Sequence, residues 1–204
     1  MRISISNIAW DVENDISVSR LLGNHNIDAI DIAPGKYFKD FAKVENDDIL
    51  AVRNWWANRG IEVIGMQSLL FGTKGMNIFA SSKIQKLMLD YLKEVCRIGN
   101  ILNARKLVFG SPRCRDCKGL PEEKAFNIAV RFFKKLANIA AEFNVIICLE
   151  PNPECYGANF MTNSEQTALV VNAVEHPSLK KGQAYIFSWY DLHGATKPIS
   201  QRRI

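Results

Sequence analysis

Three observations predict an α/β protein. Apolar runs rich in Ile and Val alternate five times with stretches of helical period before about residue 175, and turn or cap residues separate them. The runs are also continuous, as strands are when a parallel sheet is covered on both faces.

The first strand is expected over Arg2 to Ile8, where Ile3 and Ile5 alternate with Ser4 and Ser6, and it ends at Asn7-Ile8-Ala9-Trp10. Val18, Leu21 and Leu22 then form a helical stripe, with Gly23 placed to end it in a left-handed cap. Ala29-Ile30-Asp31-Ile32-Ala33 is the second strand, stopped by Pro34-Gly35. Asp47-Asp48 opens a helix whose buried side carries Ile49, Val52 and Trp56, and Gly60 closes it. Glu62-Val63-Ile64-Gly65-Met66 is the third strand. After it, Ile84, Leu87, Met88, Tyr91, Leu92, Val95 and Ile98 recur at three- and four-residue intervals, the clearest helix in the chain. Lys106-Leu107-Val108-Phe109 makes a fourth strand, backed by a helix marked by Ala125, Ile128, Ala129, Phe132, Leu136, Ile139 and Phe143. Val145-Ile146-Ile147-Cys148-Leu149 is the fifth strand and runs into Glu150-Pro151-Asn152-Pro153. Thr162-Asn163-Ser164-Glu165 fits a capping box for a helix that finishes before His176-Pro177.

Two architectures carry this alternation, an open doubly wound sheet and a (β/α)₈ barrel. The open sheet usually shows a glycine-rich phosphate loop after its first strand, and Asn7-Ile8-Ala9-Trp10-Asp11 holds no glycine. A TIM-barrel-type parallel sheet with outer helices is therefore expected, and an incomplete one. Five units in about 175 residues need about 35 each, so eight would need roughly 280, against ~250 in a typical barrel and 204 in this chain. About five to six βα units fit. The expected division is a partial barrel over residues 1–181 and a divergent tail over 182–204, which could hold a sixth strand before a basic end. An early stop or frame change near Lys180 would account for the shift in pattern there.

Composition bounds the function. With 48% hydrophobic and 23% charged residues the chain reads as one globular domain, and no apolar run approaches the ~20 residues that cross a bilayer. The net charge of +5 resides mostly from Lys180 onward, where Lys180, Lys181, Lys197, Arg202 and Arg203 face Asp191 alone. A nearly neutral body argues against a nucleic-acid partner. Five cysteines, an odd number in a chain that starts without an export signal, suit free thiols in a cytoplasmic protein. Cys114 and Cys117 form a single CxxC, only half of a tetrahedral zinc site, and an ordinary loop with two thiols is the favoured reading.

In either architecture ligands gather beyond the carboxyl ends of the strands. The polar residues expected there are Asn7, Asp31, Gln67, Ser68, Ser111, Arg113, Glu150 and Asn152. Glu150 is the sharpest, because a carboxylate directly after an apolar strand is costly near a core unless a cation or a partner meets it. The bland reading is a hydrated or salt-bridged strand end. Asp31 before Ala-Pro-Gly also suits a plain turn. Arg113 and Arg115 could clamp a phosphate or simply be solvated beside Asp116. Gln67 and Ser68 could bind sugar hydroxyls or satisfy loop backbone. His25 and His176 fall in connections at the opposite end of the sheet, which leaves His193 as the one imidazole for a site.

Met66-Gln67-Ser68-Leu69-Leu70-Phe71-Gly72, Leu107-Val108-Phe109-Gly110-Ser111-Pro112 and Leu149-Glu150-Pro151-Asn152-Pro153 stand at three successive strand ends. Together they resemble the sugar phosphate isomerase/epimerase family with its xylose isomerase-like TIM barrel, over about Ile3 to Pro177. The resemblance implies a divalent metal (Mg, Mn, Co or Zn) that polarises a substrate oxygen while a glutamate moves a proton between neighbouring carbons. It places the first metal-binding and catalytic glutamate on Glu150. Asp191 and His193, an Asp-x-His, could imitate the next ligand pair. The implied activity is metal-dependent aldose-ketose isomerisation or epimerisation of a small sugar or sugar phosphate through an enediolate, inactive if the missing units are needed. Asn7, Asp31, Gln67, Ser68, Ser111, Arg113 and Asn152 would contact substrate. The alternatives are a catalytically silent binding remnant that assembles through the open barrel edge, as a homo-oligomer for instance, and an endonuclease-like metal-dependent phosphodiesterase.

Overall fold

The computed structural model describes residues 2–182. Six parallel strands make one sheet, β1 (Ile5–Ser6), β2 (Ala29–Ile32), β3 (Glu62–Met66), β4 (Lys106–Phe109), β5 (Ile146–Leu149) and β6 (Leu179–Lys181), each hydrogen-bonded to the next in chain order. Helices α1 (Asp15–Asn24), α2 (Asn46–Ala57), α3 (Ser82–Leu102), α4 (Glu122–Glu142) and α5 (Ser164–Val174) fill the connections. A doubly wound sheet reverses its strand order at a switch point, whereas a barrel never does. The unbroken order is the barrel's.

One face of the sheet is sealed by the helices. Ile30, Ile32, Met66, Leu107, Phe109, Ile147 and Leu149 are fully buried there with Ile49, Trp56, Leu92, Val95, Phe132 and Phe133. Phe109 meets Phe133 edge-on, with ring centroids 5.3 Å apart. At about 1.5–3 kcal/mol for each large apolar side chain taken out of water, this layer is the main force holding helices to sheet. The alternate residues face the other way, into the concave side. There a β-carbon on Gly65 would stand 2.1 Å from Asp31 Oδ1, and one on Gly182 would stand 3.1 Å from Cys148 Cβ. Period-two alternation thus separates the core residues of each strand from those that line the barrel's interior.

Three local expectations are corrected. Only Ile5 and Ser6 of the segment from Arg2 to Ile8 pair with β2. Arg2 instead bonds Asp28 at 3.0 Å and Glu62 at 2.7 Å, while Asn7–Ala9 winds into a 3₁₀ turn whose Ile8 N–H donates to Ser6 Oγ at 3.3 Å. Short polar side chains compete with the ladder for backbone groups, which ends the strand early. Gly23 lies inside α1, and Asn26 takes the left-handed conformation (φ 55°) that closes it, with Ile27 N–H on Leu22 O at 2.9 Å. The cap of α5 sits one residue later than the box drawn on Thr162. Asn163 Oδ1 accepts from Gln166 N at 2.9 Å and Gln166 Oε1 accepts from Thr162 N at 2.9 Å, in keeping with the stronger capping by asparagine. A sixth strand, β6, pairs with β5 just ahead of the expected tail. Residues 183–204 of that tail lie outside the described residues, and β6 is set in place by Ile147 N–H donating to Ser178 O at 2.9 Å.

The long loop between β2 and α2 is held to α3 by Arg97, whose Nη2 donates to Phe41 O at 3.1 Å and Val44 O at 3.0 Å while Nη1 donates to Asn46 Oδ1 at 2.6 Å. Among the described residues no helix is long and apolar enough to cross a membrane.

Candidate functional site

Glu150 leaves β5 with its backbone N–H on Phe109 O at 3.1 Å, which aligns it with the end of β4. The residue is 8% exposed, so its carboxylate stands at the boundary between core and mouth. Gly110 makes the room. A β-carbon there would lie 2.6 Å from Glu150 Oε2, and Gly110 carries an ordinary backbone conformation, so the missing side chain is needed for space and not for φ.

Two neighbours define the carboxylate's electrostatics. Asn152 Nδ2 donates to Glu150 Oε2 at 3.3 Å, and Asn152 Oδ1 accepts from Arg115 Nη2. Arg115 is fully buried. Burial raises the Glu150 carboxyl above its usual range, with the Asn152 bond and the Arg115 charge opposing the rise. Burial likewise pushes the Arg115 guanidinium down to about 10, the Glu150 field resisting. The two charges make no direct ion pair among the described residues, so the glutamate keeps one oxygen free of any protein donor. Such a carboxylate can bind a hard cation or carry a proton.

The other expected residues are distributed unequally around this point. Gln67 and Ser68 follow β3, both half-buried, and Ser68 takes a left-handed conformation (φ 54°) with its carbonyl accepting from Phe71 N at 3.0 Å. Ser111, also half-buried, accepts through its carbonyl from Cys114 N at 3.0 Å. The side chains of these three residues make no hydrogen bonds among the described residues, which leaves them available to a ligand. Asp31 lies inside β2 opposite Ser6 and Gly65, receives a hydrogen bond from Ser4 Oγ, and has its carboxyl raised by burial against the effects of Ser4 and Lys106. Asn7 is 1% exposed and its Oδ1 accepts from Ala33 N at 2.7 Å, tying the ends of β1 and β2 together. Arg113 is exposed, whereas Arg115, two residues on, is the arginine next to Glu150. Asp191 and His193 lie outside the described residues.

Sequence reasoning missed one network. Asp15 accepts from Trp10 Nε1 at 2.7 Å and from Tyr37 OH at 2.8 Å, and Tyr37 OH accepts from Trp56 Nε1 at 3.1 Å. Asp15 opens the short helix α1, and the convergence of the loops after β1 and β2 buries it. The CxxC forms an ordinary loop, with Cys117 Sγ on Asn159 O at 3.4 Å and all cysteines free. Among the described residues no three His, Cys, Asp or Glu side chains converge as a metal-holding group.

No family model and no curated protein matches the sequence. Solved structures do. D-psicose 3-epimerase with D-tagatose from Clostridium cellulolyticum H10 superposes with a TM-score of 0.70 at 17% identity, over 89% of this chain and 62% of the epimerase. The IolI protein with a bound zinc atom gives 0.66 at 17%, with the same coverage, and a xylose isomerase domain protein from Alicyclobacillus acidocaldarius gives 0.62 at 14%, again over 89% and 62%. Other matches with TM-scores of 0.63 are a probable 3-DHS dehydratase from Bacillus anthracis and an AP endonuclease, family 2, from Brucella melitensis. The chain thus spans about 62% to 67% of the length of these structures. Sequential parallel strands, outer helices and these superpositions together give this chain the fold of a xylose isomerase-like TIM barrel.

Proposed function

We propose that the chain belongs to a metal-dependent sugar isomerase or epimerase, with Glu150 as both metal ligand and proton carrier. The observation that carries this reading is a nearly buried carboxylate at the end of β5, given space by Gly110 and oriented by Asn152. A hard oxygen donor of this kind fits a divalent cation such as Mg, Mn, Co or Zn, and neighbours of the same fold include a zinc-bound protein and an epimerase crystallised with D-tagatose. When bound, the cation would supply Lewis acidity toward a substrate oxygen. Glu150 moves a proton at its carboxylate, and burial raises its affinity for that proton above that of an ordinary carboxylate. Gln67, Ser68, Ser111 and Arg113 orient hydroxyl or phosphate groups, with Asn7, Asp31 and Asn152 as further contacts. Asp191 and His193 are proposed as the remaining metal ligands, residues 1–181 as a partial barrel with 182–204 as a tail, and the cytoplasm as the location.

One observation favours a second reading. Among the described residues no three His, Cys, Asp or Glu side chains converge around Glu150, and a single carboxylate holds a divalent ion weakly, as expected of a catalytically silent binding protein.

The test is Mn²⁺ affinity of the chain and of Glu150→Gln, together with deuterium uptake from D₂O into D-tagatose and D-fructose. Binding lost in the variant, with deuterium incorporated by the parent, supports the enzyme. Equal and negligible binding in both proteins removes it. Binding without deuterium uptake selects the silent form.

A further inference from the structure

Arg115 has no exposed surface, and among the described residues its guanidinium makes a single hydrogen bond, from Nη2 to Asn152 Oδ1. Its Nε and Nη1 are buried and reach no acceptor. A guanidinium presents five N–H groups in a rigid planar fork, and enclosing it with donors unmet is costly unless anionic oxygens answer them. The oxygen that Arg115 does hold is neutral. Asn152 stands between the two charges, giving Oδ1 to Arg115 and Nδ2 to Glu150 at 3.3 Å, and is itself only half-buried. Its amide is therefore the group between the buried fork and the mouth.

We infer that Arg115 is an anion-recognition group, taking two oxygens of a ligand's phosphate or carboxylate once the Asn152 amide swings aside. This rests on reading the Glu150 mouth as a ligand site and names the ligand's class, a sugar phosphate or sugar acid in preference to a neutral sugar. Arg113, exposed at the same turn, adds charge to the approach without the fork's enclosure. The planar pair of donors matches two coplanar oxygens, which a lysine ammonium cannot do.

The experiment uses the whole chain without metal and titrates it calorimetrically with inorganic phosphate and, separately, with acetate. At least one anion binds, and the arm that responds distinguishes a phosphate ligand from a carboxylate. Arg115→Lys weakens that binding by about tenfold or more, the loss of one charge-assisted hydrogen bond, and Arg115→Met abolishes it. Glu150→Gln removes a repelling carboxylate and tightens anion binding while losing Mn²⁺, so a failure of the metal reading is distinguishable from a failure of this one. Should neither anion bind the parent, or should both Arg115 variants bind as the parent does, the inference is overturned. If Arg115→Met does not fold, Arg115→Lys decides alone.

Discussion

Gly110→Ala separates the carboxylate's position from the stability of the fold. The new methyl carbon would lie 2.6 Å from Glu150 Oε2, where ordinary contact begins near 3.4 Å, so the oxygen must retreat by about 0.8 Å. The next atoms, Glu150 Cδ at 3.7 Å and Asn152 Oδ1 at 3.8 Å, are already at ordinary contact distance. Only the far end of a side chain has to move, and no backbone atom is struck. Stability should change by less than about 1 kcal/mol, since the alanine also restricts the unfolded chain by about 0.4–1 kcal/mol in the opposite direction. The site should suffer far more. The 3.3 Å bond from Asn152 is lost, and a displacement approaching 1 Å costs a reacting or liganding group on the order of a hundredfold. Urea unfolding and Mn²⁺ titration of the same preparations check both halves. Wild-type metal affinity in the variant would show that the carboxylate's place does not matter, and a collapse of stability would show that Gly110 serves the backbone.

Three further outcomes are expected. Gly65→Ala should destabilise by about 1–3 kcal/mol in urea, because its methyl meets Asp31 Oδ1 at 2.1 Å and the Lys106 carbonyl at 3.0 Å, and the second is backbone that cannot step aside. Replacing Asp31 by alanine in the same chain should recover only part of this, full recovery being the result that contradicts it. Asp31 and Glu150 have carboxyls raised mainly by burial, so the native state holds their protons longer than the unfolded state does. Stability should therefore fall as pH rises from the ordinary carboxylate range through the raised values and then level off, and Asp31→Asn and Glu150→Gln should each flatten that slope. Unchanged slopes in both variants would refute the assignment. Among the thiols, exposed Cys155 should be alkylated by iodoacetamide in the native protein, while Cys96, buried and pushed up to about 12, reacts only after unfolding, as mass spectrometry of the digested chain would show.

The positions of β3, β4 and β5 and of helices α3 and α4 were legible because each depends on a local pattern. Glu62–Met66 and Lys106–Phe109 are bounded as their apolar runs are, α3 reaches from two residues before Ile84 to four past Ile98, and α4 starts three residues before Ala125 and stops one short of Phe143. The N-terminal strand was not, because Ser6 and Asn7 chose between ladder and turn according to what lay across from them, Ala33 N–H in the case of Asn7.

Chain order and hydrophobic period by themselves determined a parallel α/β sheet with residues such as Glu150 at the carboxyl ends of its strands, since both follow from covalent spacing. Which arginine stands beside that glutamate, why residue 110 must lack a side chain, and how Asp15 is buried were decided only by packing. Arg113 and Arg115 are alike in type and nearly adjacent in the chain, and a short 3₁₀ turn sends one to solvent and the other under Asn152. Charge and burial at a site are properties of distances between strands, and those distances exist only once the sheet has closed its helices against itself.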